Sequence, residues 1–285
     1  MYGVTARRGS RDAVDMEFDN RWESLIDPGK ATDFFALPAG LAPFDPEIRV
    51  FDVCQAWWMA EFARVIYRRD GRQEMLARAG FREEKSFRGA STQCAVVRPV
   101  DGPDFAVLVF RGTADLRNWL TSVRAVPVRW SRGGKVHRGF QRALQKVWDE
   151  VALHLDSIQA PIFYTGHSLG GALATLAASH RPPEVAYTFG SPRVGDDEFV
   201  ATLTAPLFRV INRRDIVTTL PPVVPKLGFV HAGEMHHLEA RDSSAADADP
   251  DLAELADLRR WFDPHESLAD HAPINYLACL TRLLG

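Results

Sequence analysis

The most constraining stretch of this 285-residue chain is Pro161-Ile162-Phe163-Tyr164-Thr165-Gly166-His167-Ser168-Leu169-Gly170-Gly171-Ala172-Leu173-Ala174. Residues Ile162 to Thr165 are apolar, aromatic or β-branched and predict a short buried strand, while the Ala/Leu run from Ala172 to Ser179 predicts a helix. A serine therefore falls on a strand-to-helix corner, inside the pattern G-x-S-x-G made by Gly166, Ser168 and Gly170. Without side chains at the two glycines, strand and helix can approach closely and Ser168 can take a strained backbone conformation with its Oγ exposed. A serine that merely capped a helix would need neither flanking glycine nor a strand before it. The corner reads as a nucleophile elbow.

With 46% hydrophobic and 25% charged residues, the chain can bury a large core and is read as one α/β domain. The net charge of −3 and scattered arginines give no electrostatic footprint for nucleic acid, so no such partner is expected. Arg7 and Arg8 are not followed by an apolar run of signal-peptide length, and no segment approaches a membrane-spanning helix. A cytoplasmic location is expected, or a secreted one if the chain is a processed form. Cys54, Cys94 and Cys279 are odd in number, widely spaced and set among apolar residues, which suits buried free thiols.

Residues 1–50 are broken by Pro28, Gly29, Pro38, Gly40, Pro43 and Pro46 and form an irregular N-terminal extension that wraps the main body, residues 51–285. Phe51 to Tyr67 predicts an amphipathic helix, with the Trp57-Trp58 pair read as core. Thr92 to Val97 and Phe105 to Phe110, separated by a Pro/Asp/Gly cluster, predict an antiparallel hairpin. Gln141 to Leu155 predicts one helix feeding the strand of the elbow, and Val185 to Phe189 and Leu207 to Ile211 predict two further strands. Strands alternating with helices imply a mostly parallel sheet with its chemistry at the strand C-terminal ends. Residues 241–257, rich in Asp among Ala and Ser, read as a solvated acidic insertion; the ordered alternation of a calcium loop is absent there.

A serine hydroxyl needs an imidazole to take its proton and a carboxylate to hold that imidazole in one tautomer. In this topology the order along the chain is serine, acid, histidine. Asp215 lies just past the strand Leu207 to Ile211 and is the leading acid; Asp196 and Asp197, deeper in a loop, are the alternatives. Of His231, His236, His237, His265 and His271, the last stands before a C-terminal helix, in a loop from which a side chain can reach back over the sheet. His236 and His237 lack the spacing of metal ligands, so no metal and no cofactor is expected.

Five blocks in order resemble the class 3 lipases, a family of α/β hydrolases that includes fungal triacylglycerol lipases. They are Phe110-Arg111-Gly112-Thr113, Val136-His137-Arg138-Gly139-Phe140, Gly166 to Ala174, Thr188-Phe189-Gly190-Ser191-Pro192-Arg193-Val194-Gly195, and Asn212 to Val217 with Leu220-Pro221-Pro222. The likeness runs from about Phe51 to Tyr276. It implies an α/β-hydrolase fold with a mostly parallel central sheet flanked by helices. It also implies Ser168 as nucleophile, Asp215 as acid and Asp270-His271 as the segment supplying the base. The oxyanion would be held by the backbone N–H groups of Thr113 and Leu169, which agrees with the need for one donor on the elbow and one after an earlier strand.

Residues 114–123 resemble the lid of that family, and on a helix Leu116, Trp119, Leu120 and Val123 would make one apolar face. A helix packed permanently on the core would show the same spacing. The resulting expectation is a serine ester hydrolase acting on acylglycerols, with a lipid or ester substrate met at a lipid–water interface. A phospholipase or short-chain carboxylesterase is the alternative among enzymes. A catalytically silent lipid-binding protein on the same fold is the alternative outside them.

Overall fold

Runs of Val, Ile, Leu, Phe and Tyr bounded by turn residues pair into a central sheet in the computed structural model, which describes residues 28–90, 92–112, 125–222, 228–238 and 269–285. In chain order its strands are β1 (Phe81–Gly89), β2 (Thr92–Pro99), β3 (Ala106–Phe110), β6 (Ile162–His167), β7 (Val185–Phe189), β8 (Leu207–Asn212) and β9 (Glu234–Leu238). They lie side by side in that same order. The first three are antiparallel neighbours; from β3 onward every pairing is parallel. A separate ribbon pairs β4 (Pro127–Arg129) with β5 (Lys135–His137). The hairpin expected from residues 92–110 is present, with Cys94 opposite Phe110.

Parallel pairing needs crossovers between strands; the helices between β3 and β7 pack on one face of the sheet, and the other face is covered by the helices before β1 and after β9. Side chains alternate along β3: Val107 and Val109 join one core with helix α1 (Val53–Val65) and helix α7 (Pro273–Leu283), whereas Ala106, Leu108 and Phe110 join a second. That second core contains residues of α3 (Arg138–Gln145), α4 (Trp148–Asp156) and α5 (Leu169–His180). Two short helices, α2 (Arg72–Arg78) and α6 (Asp197–Val200), complete the described helices. Among the described residues no helix is long and apolar enough to cross a membrane.

Helix α1 departs from the amphipathic reading, because its polar residues Gln55, Glu61 and Arg64 are buried along with its apolar ones. The reason is a closed ion pair. Arg64 Nη2 lies 2.8 Å from Glu61 Oε1, and the guanidinium also donates to the carbonyls of Pro28 and Asp33. Glu61 in turn accepts from the backbone N–H of Phe35 at 2.9 Å. The pair therefore ties residues 28–35 onto the helix and seats Phe34 and Phe35 in the core, the Arg64 guanidinium lying 4.0 Å from the Phe34 ring centroid. Trp57 and Trp58 are buried as read, their indole N–H groups satisfied by Thr281 Oγ1 and the Ala42 carbonyl.

The helix expected across 141–155 is two helices, broken at Lys146 and Val147. The end of the β1–β2 hairpin packs into this break. A Cβ on Gly89 would lie 2.3 Å from the Lys146 carbonyl oxygen, and Thr92 Oγ1 donates to the Ala143 carbonyl at 2.9 Å. All three cysteines are free, but Cys54 is only partly buried, whereas Cys94 and Cys279 are buried as expected. The acidic insertion at 241–257 lies outside the described residues.

Removing one member of a buried, hydrogen-bonded ion pair leaves the other charge without its partner, at a cost of about 3–5 kcal/mol. Glu61→Ala should lower stability by about that amount in urea unfolding, and Glu61→Met with Arg64→Leu should recover much of it. An unchanged midpoint in Glu61→Ala would contradict this account of α1.

Candidate active site

Ser168 sits between β6 and α5 with φ 59° and ψ −128°, a backbone conformation that costs a non-glycine residue about 1–3 kcal/mol. Neighbouring contacts hold it there. Its N–H donates to the Phe189 carbonyl at 2.8 Å, and its carbonyl accepts from Gly171 at 2.9 Å. The flanking glycines are dictated by distance: a Cβ on Gly166 would lie 2.3 Å from the Gly170 carbonyl, and one on Gly170 would lie 2.2 Å from the Phe110 carbonyl oxygen. Leu169 is the first residue of α5, so its N–H points from the free end of the helix, where no preceding turn offers an acceptor.

Asp215 follows β8 and caps the short 3-10 turn Ile216–Thr219, accepting from the Val217 N–H at 2.9 Å. Its carboxylate is buried and also accepts from Tyr276 Oη at 2.6 Å and from His271 Nδ1, which lies 2.9 and 2.8 Å from its two oxygens. A carboxylate only accepts, so His271 carries its proton on Nδ1 and its Nε2 is left with a free lone pair. Burial, then the charge of Asp215 and the hydrogen bond to it, pushes the Tyr276 phenol well above its ordinary range, so it stays a donor. Arg193 supports this turn from below, donating to the carbonyls of Thr219 and Pro221. Gly190, at φ 58°, makes room for the pair: a Cβ there would lie 2.6 Å from Asp215 Oδ2 and 2.9 Å from His271 Nδ1.

His167, the residue before the serine, links the two halves of the site. Its ring centroid is 4.5 Å from that of His271, and its Nε2 lies 2.7 Å from the His271 carbonyl oxygen. A carbonyl must accept, so His167 is protonated on Nε2 and its Nδ1 accepts from Tyr67 Oη at 3.0 Å. Burial, and then the nearby His271, hold the His167 imidazole well below the usual 6.5. The backbone of His271 is thus fixed to the strand end that carries Ser168. The Ser168 Oγ and the His271 Nε2 are both buried, and neither has a hydrogen-bond partner among the described residues.

The residues Ser168, Leu169, Asp215 and His271 are gathered at the C-terminal ends of β6 and β8, while the alternatives lie elsewhere. Asp196 caps α6 by accepting from Phe199 and Lys135 N–H groups, and Asp197 is exposed. His236 stacks on Phe51 at 3.6 Å and pairs with Glu234, and His237 Nε2 donates to the Arg213 carbonyl. Thr113, Leu116, Trp119 and Leu120 lie outside the described residues. Among the described residues no group of three or more His, Cys, Asp or Glu could hold a metal ion. Sequence reasoning passed over Tyr67, His167, Gly190 and Tyr276; two of these stood inside quoted motif blocks, at positions whose partners are distant in sequence.

The fold and this strand–serine–helix corner define an α/β hydrolase. Residues 107–224 match the family model described as lipase (class 3). The chain is 36% identical over 196 residues to a lipase of Rhizomucor miehei, covering 62% of this chain and 53% of that protein. It is 35% identical over 167 residues to secreted mono- and diacylglycerol lipase 1 of Fusarium solani, covering 52% and 47%. The solved triacylglyceride lipase of Rhizomucor miehei superimposes with a TM-score of 0.59 at 28% identity, over 76% of this chain and 91% of that one. The chain is thus similar to class 3 lipases over residues 107–224 and to fungal lipases in fold, and it spans about half the length of the curated relatives it matches.

His231 is held down to about 2 by burial and then by the charges of Arg209 and Arg193. Unfolded histidines take up protons below about 6.5 that His167 and His231 refuse when folded. The unfolded state then binds more protons, so stability is full above that value and falls as the pH drops through it. Urea unfolding from pH 8 to pH 5 should show this loss, with the His167 ring keeping its neutral Nε2–H signature in NMR throughout. A His167 titration midpoint near 6.5 would contradict the site as described.

Proposed function

We propose that the protein is a carboxylic ester hydrolase of lipase type that cleaves acylglycerols through an acyl-enzyme on Ser168. The observation that carries this reading is a strained elbow serine gathered at the same sheet end as a buried Asp215–His271 pair whose Nε2 has no hydrogen-bond partner among the described residues. In the reaction, Oγ attacks the ester carbonyl carbon as its proton passes to His271 Nε2, and Asp215 stabilises the imidazolium. The oxyanion is held by the Leu169 N–H, aided by the helix dipole, and by the N–H of Thr113. Collapse expels the alcohol, which takes its proton from His271. Water then attacks the acyl carbon, giving a proton to the same nitrogen, and the fatty acid leaves as Ser168 recovers its hydrogen.

The apolar positions Leu116, Trp119 and Leu120 are proposed, on their spacing alone, as the cover of the acyl site. For location, the expectation of a cytoplasmic protein finds no support among the relatives, several of which are secreted by name, and secretion suits an enzyme of fat hydrolysis.

Ser168→Ala should stay folded by circular dichroism and lose hydrolysis of p-nitrophenyl esters. His271→Ala should be similarly damaging, and Asp215→Asn should lower kcat by up to about 10⁴. Asp196→Asn should cost stability through α6 rather than turnover. A folded Ser168→Ala with most of its activity, or a silent Asp215→Asn, would overturn the assignment.

A further inference from the structure

Beside the proposed catalytic residues lies positive charge that the ester chemistry does not use. Arg111 follows the last residue of β3, and its N–H donates to the Gln93 carbonyl at 3.0 Å. Among the described residues its half-buried guanidinium bonds only the neutral amide of Gln93, and its Nε is buried without a partner. Gln93 is in register with Arg88 across β1 and β2, so Arg88, Gln93 and Arg111 form a row over three strands at one rim of the sheet. Arg69, between α1 and α2, and Arg72, the first residue of α2, add further positive charge around Arg111. Burial, followed by the charges of Arg69, Arg72 and Arg88, presses the Arg111 guanidinium below its ordinary range. Of these, Arg72 is compensated by Glu83 at 2.5 Å. Arg69 and Arg88 are exposed and make no ion pair among the described residues, nor does the adjacent Asp70.

Like charges gathered around a half-buried guanidinium repel, and an orphaned buried donor is costly, unless an anion meets them. The cluster is also next to the reacting serine. Gly112, the next residue, is so close to Tyr67 and to the elbow that a Cβ would overlap the tyrosine oxygen and lie 2.8 Å from the His167 carbonyl oxygen. In a glycerolipid, the third glycerol position is only a few bonds from the scissile ester. A phosphate there matches the fork of an arginine better than any neutral group does.

We propose that Arg69, Arg88 and Arg111 form a binding site for the phosphate of a glycerophospholipid, so that the acylglycerols cleaved include phosphate-bearing ones. This rests on the hydrolase reading of Ser168. Free inorganic phosphate shares the same chemistry, and the experiment separates the two sources.

Rates are measured on phosphatidylglycerol and on diacylglycerol of the same acyl chains, both in neutral detergent micelles, for the wild type, Arg88→Gln and Arg111→Gln. Circular dichroism checks that each variant is folded. Loss of one charged contact should lower the phospholipid-to-diacylglycerol rate ratio by about tenfold or more, and inorganic phosphate should compete only weakly. Equal falls on both substrates would mean that the arginines act on the fold, and would overturn the proposal. An unchanged ratio with inorganic phosphate binding as tightly as the lipid would make this a free-anion site and overturn it too. Calorimetry of Ser168→Ala protein with short-chain phosphatidylglycerol keeps the question apart from turnover. If the wild type cleaves neither lipid, the hydrolase reading fails. Phosphatidylglycerol binding by Ser168→Ala that is lost on adding Arg111→Gln would still support the anion site, and undiminished binding would refute it.

Discussion

Everything at this site depends on how closely strand β6 approaches helix α5. The backbones meet where Gly166 faces Gly170 and Gly170 faces the Phe110 carbonyl, at separations that exclude a Cβ on either glycine. That contact turns the chain sharply enough to leave Ser168 at positive φ, and its cost is met by packing: α5 is buried along nearly its whole length against β6, β7 and β3. The strained residue persists because its neighbours over-determine it. The end of β3 is drawn in by the same contact, which is why Arg111 and Gly112 lie beside the serine.

A second constraint is the satisfaction of a buried carboxylate. Asp215 receives donors from Val217, Tyr276 and His271, so burial of its charge is offset by three charge-assisted hydrogen bonds. Val217 belongs to the turn that Asp215 caps, whereas His271 and Tyr276 come from the C-terminal segment, and together they fix α7 over the end of β8. Asn212 adds to this by donating to the Asp270 carbonyl at 2.9 Å and accepting from Cys279 Sγ. His271 is therefore clamped from three sides: its ring Nδ1 by Asp215, its backbone carbonyl by His167, and its sequence neighbour Asp270 by Asn212.

Much of this was legible from local pattern, and the rest was not for identifiable reasons. The elbow, the hairpin at 92–110 and the parallel strands β7 and β8 announced themselves as short apolar runs next to glycine or polar loops. Strand β1 did not, because its sequence Phe-Arg-Glu-Glu-Lys-Ser-Phe-Arg-Gly is that of a charged edge strand with only Phe81 and Phe87 buried. Strand β9, Glu-Met-His-His-Leu, drew attention as histidines rather than as a strand. Burial of Glu61 and Arg64 could not be read from the spacing of α1, since it depends on carbonyls at Pro28 and Asp33 more than thirty and about thirty positions away in the chain. The break at Lys146 likewise comes from Gly89 and Thr92, which no helical periodicity encodes. Tyr67 and Tyr276 look like core aromatics in sequence; only the fold sets their hydroxyls against His167 and Asp215.

The account turns on Ser168 being a nucleophile activated by His271, and chemistry at that one oxygen tests it most directly. Intact-mass spectrometry after exposure of the folded protein to a fluorophosphonate, with peptide mapping of the product, should find a single adduct on Ser168. It should be absent from Ser168→Ala and formed far more slowly by Asp215→Asn. No adduct on the folded wild type, or one on another side chain with Ser168 unmodified, would contradict it.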